Sequence, residues 1–393
     1  MSGVEQGPGA GDRERPQAVP AAAVPPVSPP AGESILIVRL SAVGDCVHAL
    51  PAVAALRAAK PGAKIVWAID DRSAALFAGH PDVDEFLVMP RRGLKGRSLR
   101  ERWRFALDWR RRLRAGGFAA AVDFQGLLKS ALTARLAGAP LCIGLRRAQG
   151  ARELSWLLYN CRPEVPESVR HVAERSLALL APLGVRAGAE LPLPRLPVHP
   201  AAAARVEAEL GKLDLAGRRL AVFNPGAGWE TKRWPANHFA VLAEMLRRDL
   251  GLEVLVTWFG PAERELAGRI CAAGVARLAP PTDLPELLEL LRRAALYIGA
   301  DTGPTHIAAA AGTPTVALFG AADPVRNRPL GPRVETLTAG LHCSPCWLHR
   351  NCPRDVECMK ALGPGAALAA ARQFAAAPTA PAASAAAAPG GKP

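Results

Sequence analysis

Aromatic residues make up only 5% of this 393-residue chain, and no recognised nucleic-acid-binding signature occurs in it. Proteins that read nucleic acids usually add stacking aromatics to their cations, so this scarcity argues against nucleic acid as the partner. Long apolar runs are missing too. None reaches the roughly 18 to 20 residues a spanning helix needs, and the first 33 residues lack the apolar centre of a signal peptide. A cytoplasmic protein is the expectation. Eight cysteines in a chain of this size, with no export signal, read as thiols or metal ligands rather than as a disulfide framework.

What the chain does have is apolar bulk and positive charge. Half of the residues are apolar, enough to bury large cores and to form two domains. The net charge of +14 predicts attraction to anionic partners such as nucleic acid, anionic lipid or phosphorylated sugar. Much of it falls at Arg91, Arg92, Lys95, Arg97, Arg100, Arg102 and Arg104, then at Arg110, Arg111, Arg112 and Arg114. That cluster reads either as an anion-binding surface or as a solvated helix face.

Residues 1–33 and about 377–393, rich in Pro, Ala and Gly, are expected to be disordered tails. Between them strand and helix patterns alternate. SILIVRL (34–40) reads as a buried parallel strand, followed by the turn SAVGD and a helix over 47–59. Strands at 64–69, 85–89 and 119–124 follow, with a basic helix at about 98–115. The pattern restarts after LPLPRLPVHP (191–200), a Pro-rich hinge, which divides the chain into domains at 34–196 and 197–376. The fold class is α/β, with two Rossmann-like doubly wound domains facing one another across a cleft. In such sheets ligands bind beyond the carboxyl ends of the strands.

The polar motifs fall at those ends. GADTGPTHIAAAAGTPTVALFG (299–320) reads as strand end, loop, helix and second strand. Its loop holds Asp301, Thr302, Gly303, Thr305 and His306 at a helix N-terminus, where free backbone N–H groups suit a diphosphate. Asp301 or Thr302 could equally cap that helix. In PGAGWETKRWP (225–235), two glycines with Thr231 and Lys232 suit a diphosphate cradle, or a tight turn beside a surface lysine. Glu263 could accept bonds from ribose hydroxyls or serve as a first-turn helix glutamate. Asp45 is either a helix cap or a general base acting on an acceptor hydroxyl.

Together, VRLSAVGDCVHALPA, VDFQGLLKSALTARLAG, HVAER, NPGAGWETKRWP and the 299–320 stretch resemble glycosyltransferase family 9, the ADP-heptose lipopolysaccharide heptosyltransferases, over about residues 34–375. FQGLLKSA, ARELSWLLYN and HVAER look most like the type I members, which add the first heptose to the Kdo-lipid A inner core. The resemblance implies the two-domain GT-B fold and an inverting, metal-independent transfer with no cofactor. It implies Asp45 as catalytic base, and Thr231 with Lys232 on the donor phosphates. It places Glu263 near the ribose, and Asp301, Thr302, Gly303 and His306 around the sugar diphosphate. Lys129, Arg152 and Arg175 would face an anionic, lipid-linked acceptor, so the protein would sit peripherally on the inner membrane. The final helix, 364–375, would cross back to the first domain.

Two stretches depart from the type I pattern. Gly226, Ala227 and Gly228 stand where type I enzymes often carry two threonines. CSPCWLHRNCPRDVEC looks more like the type II enzymes, and its Cys343, Cys346, Cys352 and Cys358 are spaced for local packing, redox chemistry or zinc. A transferase with another acceptor is therefore a competing reading. A nucleotide-sugar epimerase on the same architecture and a non-catalytic nucleotide-binding protein are two more.

Overall fold

The computed structural model describes residues 34–90, 96, 98–186, 188 and 190–376. Both expected tails, and Arg91, Arg92, Lys95 and Arg97 of the basic cluster, lie outside the described residues. The chain begins with β1 (Ser34–Val38), α1 (Val43–Ala59), β2 (Lys64–Asp70), α2 (Ala74–Phe77) and β3 (Glu85–Met89). It continues with α3 (Leu99–Ala115), β4 (Ala120–Asp123), α4 (Leu128–Leu136), β5 (Leu141–Ile143) and α5 (Val172–Ala178). The five strands pair in parallel in the order β3-β2-β1-β4-β5. A parallel sheet covered on both faces needs apolar side chains at every position, which the unbroken run SILIV supplies. Ile35 and Ile37 face the core under α1 and α5, while Leu36 and Val38 face the core under α3 and α4.

The second half follows the same logic. It contains α6 (Pro200–Lys212), β6 (Leu220–Asn224), α7 (Ala236–Leu250), β7 (Glu253–Val256), α8 (Pro261–Cys271), β8 (Arg277–Leu278) and α9 (Leu284–Arg293). Then come β9 (Leu296–Ala300), α10 (Gly303–Ala310), β10 (Thr315–Phe319), α11 (Pro324–Asn327), β11 (Val334–Thr338), α12 (Glu357–Lys360) and α13 (Pro364–Ala376). Its six strands are parallel in the order β11-β10-β9-β6-β7-β8, so both sheets show the doubly wound arrangement expected.

Two expectations are corrected. The helix after β1 starts at Val43 rather than at 47, which places Gly44 and Asp45 in its first turn and not in a preceding loop. The final helix does not cross back. Ala367, Leu368, Ala370 and Ala371 of α13 are buried in the core of the second sheet, where the helix packs against α7, β10 and β11.

The two halves meet tightly where the N-terminal turns of α1 and α10 abut. A Cβ added at Gly44 would lie 2.6 Å from Cδ2 of His306, and one added at Gly303 would overlap Cγ1 of Val43. Only glycine allows this approach at both positions. Further ties run alongside, with Arg170 paired to Asp323 at 2.8 Å and the His171 ring 3.0 Å from the Arg328 carbonyl oxygen.

Candidate active site

Strand order reverses between β1 and β4 in one sheet and between β6 and β9 in the other. Chain leaving the carboxyl ends of such neighbouring strands turns to opposite faces and leaves a crevice. Here the two crevices face each other and form one cavity of about 800 Å³, lined by residues that follow all four strands. Arg39, Ser41 and Ala42 follow β1; Phe124, Gln125 and Leu127 follow β4; Trp229 and Lys232 follow β6; Asp301 and Thr302 follow β9.

Asp45 stands on the first-half wall. Its Oδ2 accepts from the Ala42 N–H at 3.3 Å, capping α1, while its Oδ1 pairs with an Arg39 guanidinium nitrogen at 2.7 Å. Capping therefore does not remove the carboxylate from the cavity, which it lines. Arg152, Arg175 and Arg326 line it as well. Burial lowers the pKa of Arg326; Asp45 opposes that shift, and Arg175, Arg39 and Arg152 add to it. Four guanidinium groups thus line the cavity on the side of Asp45, one of them in direct contact with its carboxylate.

On the opposite wall, Lys232 Nζ lies 2.7 Å from Asp301 Oδ2 and 4.0 Å from the centre of the Trp229 ring. His306 Nε2 lies 3.1 Å from Asp301 Oδ1. Burial is the largest influence on Asp301 and opposes its ionisation, but the bonds and charges of His306 and Lys232 outweigh it and hold the carboxyl below the usual range. Thr302 and Gly303 open α10 and line the same space, and because Pro304 has no N–H and Thr305 and His306 donate to the Thr302 carbonyl, the backbone donor this turn leaves over is that of Gly303. Trp229 stacks on His349 with ring centres 3.8 Å apart, and both rings line the cavity next to the lysine.

Asp45, Arg152, Arg175, Lys232, Asp301, Thr302, Gly303 and His306 are therefore brought into one cavity. Three expected residues are not part of its lining. Thr231 is buried, and its hydroxyl donates to the Leu348 carbonyl. Glu263 accepts from the Phe259 N–H at 2.9 Å and lies against Gly226; burial raises its pKa. A side chain at 226 would meet that carboxylate and require it to move. Lys129 is exposed on the first turn of α4.

Sequence reasoning passed over several lining residues. Arg39 and Trp229 lie within the family motifs without having been singled out, Arg326 lies outside them, and the three meet only after folding. His48 is buried between His306 and His171, with ring centres 4.4 and 5.1 Å away, and neither of its ring nitrogens has a hydrogen-bond partner. Burial and the neighbouring cations keep it neutral, well below the usual histidine pKa. The four cysteines of the C-terminal stretch are free thiols, and Cys358 packs into the second core beside Met359. Burial and the three neighbouring thiols push the Cys358 pKa up.

The model of glycosyltransferase family 9 (heptosyltransferase) matches residues 106–355. Lipopolysaccharide heptosyltransferase 1 of Pseudomonas aeruginosa is 32% identical over 339 residues, covering 81% of this chain and 87% of that protein. The structure of Escherichia coli heptosyltransferase WaaC with ADP superimposes with a TM-score of 0.66 at 25% identity, covering 87% of this chain and 99% of that one. The same enzyme with ADP-2-deoxy-2-fluoro heptose gives 0.62 at 26% identity, covering 87% and 98%. The two parallel-sheet domains here have the GT-B fold of these neighbours.

Proposed function

The chain belongs to glycosyltransferase family 9, and from that premise we propose that it moves heptose from ADP-heptose to the Kdo-lipid A inner core of lipopolysaccharide. The chain is a glycosyltransferase, and its relatives are heptosyltransferases of the lipopolysaccharide core. The donor reading is supported by the ADP and ADP-heptose analogue held by the E. coli enzyme. The observation that carries the acceptor reading is that four arginines line the same cavity as Asp45, one of them paired with it, which suits an anionic sugar presented to a base.

In this reading the acceptor hydroxyl gives its proton to Asp45 Oδ and attacks the anomeric carbon as ADP departs from the opposite side, inverting the configuration. Lys232 and the N-terminus of α10 offset the charge that grows on the leaving diphosphate, so the step requires no metal ion. Trp229 and His349 give the donor an aromatic surface. Thr231 supports the loop that carries Lys232, and Glu263 meets the ribose from behind Gly226. Arg152, Arg175 and Lys129 receive the acceptor. Because that acceptor is lipid-linked, the protein works at the inner-membrane surface.

Asp45→Asn tests the mechanism, since asparagine caps helices about as well as aspartate. General-base catalysis is worth roughly 100- to 10,000-fold, so transfer to Kdo-lipid A should fall by that order while melting temperature and ADP affinity hold. Wild-type turnover in the Asn variant would reduce Asp45 to a cap and end the proposed mechanism.

A further inference from the structure

The cavity opens beside a surface that the transfer chemistry does not use. α3 buries Trp109 and Leu113 against the sheet, with Phe105 half-buried beside them. A second stripe, about a third of a turn around the helix from the buried one, exposes Leu99 (77%), Trp103 (69%) and Leu107 (51%). Spaced four apart, these form one stripe along the helix. The same helix carries seven arginines against Glu101 and Asp108, and Arg110 and Arg114 continue the stripe toward its C-terminus. Leu128 and Leu132 of neighbouring α4 are exposed too, as are Leu154 and Leu157 around the 3₁₀ turn Ser155–Leu158 that packs on α4.

Topology puts this surface at the mouth of the site. Both helices follow the carboxyl ends of their strands, so their first turns lie on the cavity side. Leu127, the residue just before α4, lines the cavity. The C-terminal ends of the two helices lie together, because Arg114 Nε donates to the Leu136 carbonyl at 3.3 Å. With 17 residues in α3 against 9 in α4, the first turns of α3 project roughly 12 Å beyond α4 on the cavity side at 1.5 Å per residue. Leu99 and Trp103 are the exposed large apolar residues of that overhang.

We propose that α3, with the exposed leucines of α4 and of the 3₁₀ turn, is a bilayer-docking surface that inserts shallowly into an anionic phospholipid interface and sets the cavity mouth against it. The proposal rests on the lipid-linked acceptor reading and names the surface that reading leaves open. An apolar stripe with tryptophan, bordered by arginines, is the composition of a helix lying in a membrane interface. The same arginines disfavour a second copy of this chain, since apposed α3 helices would bring like charges together.

The test is sedimentation of the full chain with vesicles of phosphatidylcholine alone and of phosphatidylcholine mixed with phosphatidylglycerol. A variant with Leu99→Gln, Trp103→Gln and Leu107→Gln keeps a good helix former at each exposed position. The wild type should bind the mixed vesicles in preference to the neutral ones, and the variant should bind them at least about tenfold more weakly, given the apolar area removed. Calorimetric ADP affinity should be equal in both proteins, which separates failure of docking from failure of the nucleotide site. Equal vesicle binding by the variant, or no preference for the anionic vesicles in the wild type, overturns the proposal. So does a loss of self-association in the variant, by light scattering, without a loss of vesicle binding.

Discussion

Two demands meet at the ammonium group of Lys232, which pairs with the buried Asp301 carboxylate and is proposed to face the donor diphosphate. Removing one partner of a buried pair costs about 3 to 5 kcal/mol because the remaining charge is stranded. Lys232→Ala should therefore lower the melting temperature as well as weaken ADP binding, and an unchanged melting temperature would show that the Asp301 pair contributes little. The double loss was not legible in GWETKRWP, where the lysine suggested a phosphate contact but nothing pointed to its partner 69 positions away. His48 makes a pH prediction. Burial holds it neutral in the folded protein, whereas in the unfolded chain it takes a proton below its ordinary pKa of 6.5. Its contribution is thus complete above pH 6.5 and is lost as pH falls below it, by up to about 1.4 kcal/mol per pH unit. In urea titrations, His48→Gln should flatten that slope without abolishing it, since burial also lowers the pKa of His171 and His80. An unaltered slope would mean that His48 takes up its proton in the folded state.

Helix termini do much of the positioning, and α1 and α10 do it jointly. Each presents an N-terminus to the cavity and each carries a glycine where the other helix presses against it. Gly44→Ala should force the two termini apart at roughly 1 to 3 kcal/mol, the usual cost of overpacking. Gly211 in α6 has no atom within 4 Å of an added Cβ, so Gly211→Ala serves as a control and should be neutral or slightly stabilising. Urea midpoints measured on both variants decide it: a Gly44→Ala protein as stable as the control would show that the halves do not close on this contact. Long apolar runs such as SILIV and TVALF announced their strands because full burial in a parallel sheet leaves no alternation to misread. The three-residue β5 and two-residue β8 are too short to show a period and form only because longer neighbours offer free edges. The start of α1 was misplaced because SAVGD has turn composition, and its glycine is present to accommodate α10 rather than to break the helix. For α13, family likeness suggested a crossing, yet its small apolar face fits the second core.

Across the whole molecule, charge is arranged by partner. Arg39, Arg152 and Arg175 come from the first half and, with the arginines of α3, belong to the side proposed for the acceptor; the motifs proposed for the diphosphate come from the second half. That division was readable in the sequence, since motif order along the chain maps directly onto the two sheets. The convergence of Arg326 with those arginines was not, because it depends on how the halves are docked. A field of this kind acts at a distance and should raise the rate of encounter with an anionic acceptor more than the rate of the step that follows. Screening provides the means to separate the two. Raising ionic strength from about 0.01 M to about 0.1 M shortens the screening length from roughly 30 Å to roughly 10 Å, which removes long-range steering but leaves contacts inside the cavity largely intact. The kcat/KM for acceptor should therefore fall steeply over that range while kcat stays nearly constant. A variant with Arg104→Gln and Arg111→Gln, two exposed positions on α3 outside the cavity lining, should begin lower and show a shallower fall. If kcat/KM proves independent of salt, or if the variant follows the wild-type curve, the first-half arginines act only by contact and the positive charge of α3 has no part in capturing the acceptor.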